Sequence, residues 1–246
     1  MHSLKDKIAV IAQLQQDILL LEGFKPPANG IGVDVGLEPI KDAFPNAVFP
    51  TAAVHEFLST SIEQGAATAG FVGGILGKLM QQEGVCIWIS STQMLFPPAL
   101  KTFGIAPHRI IFIKLNRERD ILWAMEEALK CEKLAAVVAE LQEINLTASR
   151  RLQLAVEKSR VTGFILRHQP RSLGNTSCVS RWRITPISSS LDDDMPGVGF
   201  PRWKVELLKI RNGRPGTWQM EWSAKQFHII SERRAAPLQE LLLKRG

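Results

Sequence analysis

Residues 53–89 read AVHEFLSTSIEQGAATAGFVGGILGKLMQQEGVCIWI, and this stretch decides the fold class. Ala53 to Leu58, with Ala53, Val54, Phe57 and Leu58 apolar, is a short strand candidate. Ala66 to Gln82 carries apolar residues at helical spacing despite Gly70, Gly73, Gly74 and Gly77, glycines that suit close packing on a sheet. Val85 to Ile89 is a short continuous apolar run, the pattern of a strand covered on both faces. Strand, helix and strand in succession imply parallel strands joined by a right-handed crossover.

The alternation continues downstream. Pro97 to Phe103 predicts a short helix, Arg109 to Ile113 a strand, Asp120 to Lys133 an amphipathic helix and Leu134 to Val138 a strand. Thr147 to Ser159 predicts a further helix and Val161 to Arg167 a further strand. The expected architecture is a wound α/β domain, a mostly parallel sheet with helices on both faces. Beyond Ser177, strands at Val179–Ile187, Trp203–Ile210 and Gln219–Trp222 are separated by turns and are expected to extend the sheet antiparallel. Upstream, Leu4, Ile8, Ile11, Leu14, Ile18 and Leu21 have helical spacing, stopped by Gly23 and Pro26-Pro27. The Gly- and Pro-rich stretch from Gly23 to about Pro50 reads as a linker, and the helix before it either folds back on the body or docks elsewhere. The chain thus divides into residues 1–50 (helix and linker), 51–230 (core) and 231–246 (basic tail). In the tail Leu238, Leu241 and Leu242 would line a short amphipathic helix.

At 246 residues, 45% hydrophobic and 22% charged, the chain is long and apolar enough to bury a sizeable core. No apolar run approaches the roughly 18–20 residues that span a bilayer. Gln13, Gln15, Gln16 and Asp17 interrupt what would be the core of a secretory signal, so a cytoplasmic protein without membrane contact is expected. Cys86, Cys131 and Cys178 lie far apart and read as reduced, buried thiols. The five histidines (His2, His55, His108, His168 and His228) show no metal spacing, His55-Glu56 reads as structural, and no GxSxG elbow occurs. No cofactor is expected. The formal charge of +6 is uneven: through Asn145 there are 12 Lys+Arg against 16 Asp+Glu (−4), and from Leu146 onward 18 against 8 (+10). Such a basic half suits nucleic acid or an acidic partner, or is a solvated surface that keeps the protein soluble.

The order of elements resembles the RecA core, with Gln82-Glu-Gly-Val-Cys-Ile-Trp-Ile89, Lys101-Thr-Phe-Gly-Ile105 and Ala136-Val-Val-Ala-Glu140 at the matching places. Within that superfamily, Asp120-Ile-Leu-Trp-Ala-Met-Glu-Glu-Ala-Leu129 followed by Ala135-Ala-Val-Val138 is similar to the ImuA family. These are damage-induced, RecA-like accessory proteins of bacterial translesion synthesis, often described as SulA-like. The likeness spans roughly Ala52 to Ile230 and implies a RecA-like P-loop fold.

A working P-loop needs GxxxxGK[ST] between strand and helix, because backbone N–H groups cradle the phosphates, the lysine reaches them and the hydroxyl holds magnesium. In the register set by the first strand, Gly65 fits the second glycine, but Ala66 stands at the lysine position and Ala67 at the hydroxyl position. Glu63 beside them would repel a triphosphate. Gly77-Lys78 imitates the motif, but Val72 and Leu79 replace its glycine and hydroxyl, so Lys78 reads as a snorkelling lysine. Ser90-Ser-Thr-Gln93, with Thr92, replaces the catalytic acid that the resemblance leads one to expect beyond the second strand. Glu140 stands in for the Walker B aspartate and, with no lysine or hydroxyl opposite, reads as a helix-start or surface charge. The expectation is a non-enzyme with a degenerate nucleotide site.

Binding would then carry the function. Arg167, Arg171, Arg181 and Arg183 begin after a strand, where RecA-like proteins place mobile DNA-facing loops. They would neutralise phosphates, while Trp182 either stacks on a base or, by the strand period of two, turns into the core. Lys209, Arg211 and Arg214 surround the turn Asn212-Gly-Arg-Pro-Gly216, and Arg233 and Arg234 open the tail. The resemblance implies three partners: ImuB, an inactive relative of Y-family polymerases, an error-prone replicative-type polymerase, and RecA filaments. It also implies an SOS-response role and nucleoid association on damage. An ATP-dependent DNA-binding RecA paralogue and a SulA-type division inhibitor are the alternatives. The first needs a rescue lysine, and the second fits the long basic half poorly.

Overall fold

The structure, a computed structural model, describes residues 34–81, 84–92, 95–189 and 199–230. The helix expected at Leu4–Leu21, the tail from Ser231, and with it Arg233 and Arg234, lie outside the described residues. Nine strands form one sheet in the order β3-β2-β4-β5-β1-β6-β7-β8-β9. They are β1 (Val54–Ser59), β2 (Val85–Ser90), β3 (Ile110–Lys114), β4 (Leu134–Leu141), β5 (Thr162–His168), β6 (Ser180–Ile187), β7 (Arg202–Ile210), β8 (Gly216–Ser223) and β9 (Gln226–Ile229). Three α-helices join them: α1 (Ile62–Leu79), α2 (Glu118–Leu129) and α3 (Leu146–Ser159).

The strands read as continuous apolar runs because both faces of the sheet's centre are covered. On one face α1 buries Phe71, Val72, Ile75 and Leu76 against Phe57, Trp88, Val138, Phe164 and Trp182. On the other, Ile121 and Met125 of α2 and Leu152 and Val156 of α3 meet Val54, Ile89, Val137, Ala139 and Ile165. Trp182 is fully buried and stacks on Phe57 at 6.0 Å between ring centroids, so the strand-period reading holds and the base-stacking one is excluded. The glycines of α1 serve the close approach to the sheet that was expected, and one to the Pro97–Phe103 turn as well. A Cβ on Gly74 would lie 2.5 Å from the Phe227 ring of β9, and one on Gly77 would lie 2.1 Å from the Phe103 carbonyl oxygen. They admit the far strands of the sheet and the Pro97–Phe103 turn.

Three expectations need correction. First, β6 does not join antiparallel: it pairs parallel with β1, and only β7, β8 and β9 run antiparallel. The segment between His168 and Ser180 is long enough to run back along the sheet, about 36 Å when extended, so no helix is needed for a parallel return. Second, the described part of the stretch read as a linker belongs to the body. Val35, Leu37, Ile40, Ala43, Phe44 and Phe49 are buried, with Phe44 edge-on to Phe49 and tilted against Trp182. Its Gly/Pro content shapes two 3₁₀ turns, Glu38–Ala43 and Pro45–Ala47, and the apolar residues between were the stronger signal. Third, Cys131 is exposed, whereas Cys86 and Cys178 are buried with their thiols pushed up to about 12 by burial.

Candidate functional site

In open α/β sheets, ligands bind outside the carboxyl ends of the parallel strands, where a helix N-terminus offers free backbone N–H groups. Here that place is bounded by Ser59 ending β1, Glu140 in β4, His168 ending β5 and the start of α1. The helix begins at Ile62, four residues earlier than expected, so Thr60 and Ser61 alone connect β1 to it. Gly65, Ala66 and Ala67 lie within the helix, with Gly65 N–H bonded to the Ser61 carbonyl and Ala67 buried.

The local sequence explains the early start. Ser61 is an N-cap whose hydroxyl accepts from Gln64 N–H at 3.3 Å, and the Gln64 side-chain oxygen accepts in return from Thr60 N–H at 2.9 Å and the Thr60 hydroxyl at 3.0 Å. This reciprocal arrangement is a capping box shifted by one residue, and it satisfies donors that would otherwise point at an anion. Glu63 in the same turn has its carboxyl held below the usual range, first by the Ser61 hydroxyl and then by its own backbone N–H. A negative charge thus occupies the positive end of the helix.

Behind the cap the space is filled by side chains. The His168 ring lies against Gly65, where a Cβ would stand 3.3 Å from Nδ1. His168 Nε2 stands 3.3 Å from Glu140 Oε2, while the other Glu140 oxygen accepts from Trp88 Nε1 at 2.6 Å. Ser59 and Thr68 hydroxyls bond to each other at 3.1 Å. Glu140 is therefore neither a helix-start nor a surface charge: it lies inside β4, 7% exposed, and its contacts with Trp88 and His168 set its role. The sequence carried a signal for this in Trp88, an indole N–H within an otherwise apolar strand, which needs a buried acceptor. Lys78 lies near the other end of α1, about 24 Å along the axis from Ile62, with its stem against Gly36. Thr92 is exposed, and Gln93 lies outside the described residues. Among the described residues no group of three or more His, Cys, Asp or Glu is disposed to hold a metal ion.

The basic residues divide sharply. Arg167, read as a DNA contact, is fully buried on the α3 face of the sheet and is corrected to a structural ion pair. It donates to Glu56 Oε1 at 2.8 Å, Glu143 Oε2 at 2.8 Å, Ser172 O at 2.9 Å and Gln142 O at 3.1 Å. Arg181, 15% exposed in its side chain, is likewise committed inward, to Glu56 Oε2 at 2.7 Å and Gly174 O at 2.7 Å. Thr176 completes the shell of the buried Glu56 at 3.0 Å. Burial would raise the Glu143 carboxyl, but the Arg171 N–H, the Arg167 charge and the Ser172 donors together hold it low. The stretch read as a mobile loop is thereby tied to α3 and the sheet, with Ser177 N–H on the Ser149 hydroxyl at 3.0 Å. A strand arginine reads as exposed by charge alone; Glu56, in register with Arg181 across β1 and β6, was the signal missed.

The remaining cations are at or near the surface. Arg171 and Arg214 are exposed, Arg183 lies 3.9 Å from Glu206, Lys209 reaches the Thr176 carbonyl at 3.4 Å and Arg211 the Ser177 carbonyl at 3.4 Å. The turn bearing Arg214 is anchored by its N–H to the Ala43 carbonyl at 2.9 Å. No described helix is long and apolar enough to cross a membrane.

No model of a protein family matches the sequence. Among curated proteins, Protein ImuA of Caulobacter vibrioides strain NA1000 / CB15N is 36% identical over 198 residues, covering 76% of this chain and 81% of that protein. Protein ImuA of Caulobacter vibrioides strain ATCC 19089 / CIP 103742 / CB 15 matches to the same extent.

Proposed function

This chain belongs to the ImuA family, and from that premise we propose that it serves damage-induced mutagenesis as a non-catalytic, RecA-like docking protein of translesion synthesis. The observation that carries the non-catalytic reading is the closed N-terminus of α1: a two-residue connection, a helix capped by Ser61 and Gln64, and His168 packed on Gly65. A nucleotide triphosphate needs an open loop of backbone donors there, together with a lysine and a hydroxyl. Glu140, the carboxylate at the metal-binding position, is engaged by Trp88. Lys78 as a rescue lysine is opposed by its distance along α1. The sheet order with β1 at its centre, and helices on both faces, support the RecA-like reading.

On this reading the chain works by contact. Its partners are an ImuB-like inactive polymerase, an error-prone replicative-type polymerase and RecA, and its place is the nucleoid after damage. Among the described candidates, any direct hold on DNA would fall to Arg171, Arg183, Lys209, Arg211 and Arg214, since Arg167 and Arg181 are engaged by Glu56. The test is isothermal titration of the purified full chain with Mg-ATP, with and without single-stranded DNA. No heat at millimolar nucleotide is expected. Saturable binding in the micromolar range would overturn the docking reading in favour of an ATP-dependent motor.

A further inference from the structure

α2 and α3 lie side by side over one face of the sheet, and each carries a large apolar side chain on its outer surface: Trp123 is 63% exposed and Leu154 57%. The helices connect parallel strands, β3 to β4 and β4 to β5, so they run in the same direction. Arg151 of α3 reaches Glu126 of α2 at 2.5 Å and fixes their relative height. Toward the helix C-termini a cavity of about 430 Å³ opens between them, with Glu132 and Lys158 on its walls; Lys133, next to Glu132, does not line it. Arg150, Leu154 and Lys158, spaced four residues apart, form one exposed ridge of α3.

The charges on this face fall into two sets. Glu126, Glu127, Lys130 and Arg151 pair with one another, whereas the side chains of Arg150, Lys158 and Glu132, like the Trp123 indole N–H, have no partner among the described residues. The chain itself supplies the complement. A twofold axis parallel to the helices exchanges left and right but keeps height, so it lays α2 of one copy over α3 of the other. Glu132 and Lys158 flank one cavity and are level, so each Glu132 meets the second copy's Lys158. Trp123 stands three residues above Glu126 and Arg150 one above Arg151, a height difference of about 3 Å. Each indole therefore meets the second copy's Arg150 as a cation–π pair. The competing twofold, perpendicular to the helices, stacks α3 on α3 about Leu154 and brings Arg150 against Lys158, like against like.

We infer that the outer face of α2 and α3 binds a second copy of this chain in a twofold dimer, through Glu132–Lys158 and Trp123–Arg150 contacts that are each made twice. The dimer is independent of the nucleotide question, because α1 and its capped N-terminus lie on the opposite face of the sheet. Two helices about 18 and 21 Å long present less than a standard interface, so the dimer is weak, with Kd on the order of 10–100 µM.

Sedimentation velocity of the full chain from roughly 5 to 300 µM brackets that range and should show monomer passing into dimer, less completely as salt rises. Lys158→Glu and Glu132→Lys each place two repulsions in the homodimer, and each should weaken it by about ten-fold or more. An equimolar mixture of the two variants should associate nearly as well as the wild type, because both positions of the mixed dimer then join opposite charges. No change confined to one chain produces rescue by mixing. Trp123→Ala should weaken the dimer by about ten-fold or more while leaving the urea midpoint in place, since the side chain is exposed. A chain that stays monomeric throughout the concentration series overturns the inference. So does a dimer indifferent to Trp123→Ala and to both charge reversals, or a mixture that associates no better than its components.

Discussion

Replacing Arg167 by methionine separates a structural arginine from a DNA-contacting one. Methionine keeps much of the aliphatic stem but removes every donor that Arg167 sends to Glu56, Glu143, Gln142 and Ser172. Breaking a buried pair by deleting one partner costs about 3–5 kcal/mol, because the other charge is left uncompensated. Glu56 would still hold Arg181 at 2.7 Å and Thr176 at 3.0 Å, and Glu143 is 35% exposed, so the lower end applies, about 3 kcal/mol. For a domain of this size, that lowers Tm by roughly 6–12 °C. The assay is urea unfolding by circular dichroism, reading the midpoint at unchanged m. Arg171→Met, at an exposed side chain, is the control and should stay within about 0.5 kcal/mol. A double-mutant cycle with Glu56→Gln should show coupling above about 0.5 kcal/mol, since the two side chains share a bond. If Arg167→Met unfolds at the wild-type midpoint, the account of the Glu56 network is wrong.

Gly77→Ala should destabilise the fold by about 1–2 kcal/mol even though alanine is the better helix former by about 1 kcal/mol, because its methyl would sit 2.1 Å from the Phe103 carbonyl. Gly70→Ala, facing ring atoms at 3.3–3.4 Å that can shift, should be close to neutral, and equal urea midpoints for the two would refute the packing argument. His55, buried between Pro50 O and Ser180, has its pKa lowered to about 4 by burial, so the unfolded chain takes up a proton near pH 6.5 that the folded chain refuses. The His55 contribution to stability should therefore fall as pH drops from 6.5 to 4, by up to about 3 kcal/mol, and level off below. Glu143, held low, adds its own loss only below about its ordinary 4.5, so a flat profile between pH 6.5 and 4.5 would count against a neutral His55. With Ellman's reagent on the native chain, Cys131 should react fast and Cys86 and Cys178 only on unfolding; three fast thiols would contradict their burial.

The parallel half of the sheet was legible because its signal is local: apolar runs such as Val85–Ile89 can lie only between two covered faces. What escaped the sequence depends on pairs distant along the chain. Nothing near Arg167 announces Glu56, which lies 111 residues away, and a basic loop looks the same whether its arginines face water or a buried carboxylate. Glu140 was misjudged for a related reason: its partners Trp88 and His168 come from other strands. The direction of β6 is set by how far residues 169–179 travel, which composition does not report. Val35 to Phe49 was hidden by its glycines and prolines, although its six buried apolar residues are the better guide to where that segment goes. At the start of α1 the motif comparison assumed a loop, where the chain is already helical from Ile62. Ser61 and Gln64 carry the capping pattern that closes it.

The central position of β1 also bears on how the protein is made. This strand is synthesised first among the nine, yet its neighbours are β5, pairing Val54 with Gly163, and β6, pairing His55 with Ser180. At about 5–20 residues per second, a ribosome needs roughly 6–25 s to add the 125 residues between His55 and Ser180. Until β5 is made, this strand, buried in the folded protein, waits with neither edge paired, and until β6 follows one edge stays open. Such a nascent chain is a natural client for holding chaperones, and C-terminal truncations that stop short of β5 should aggregate rather than yield a smaller folded unit.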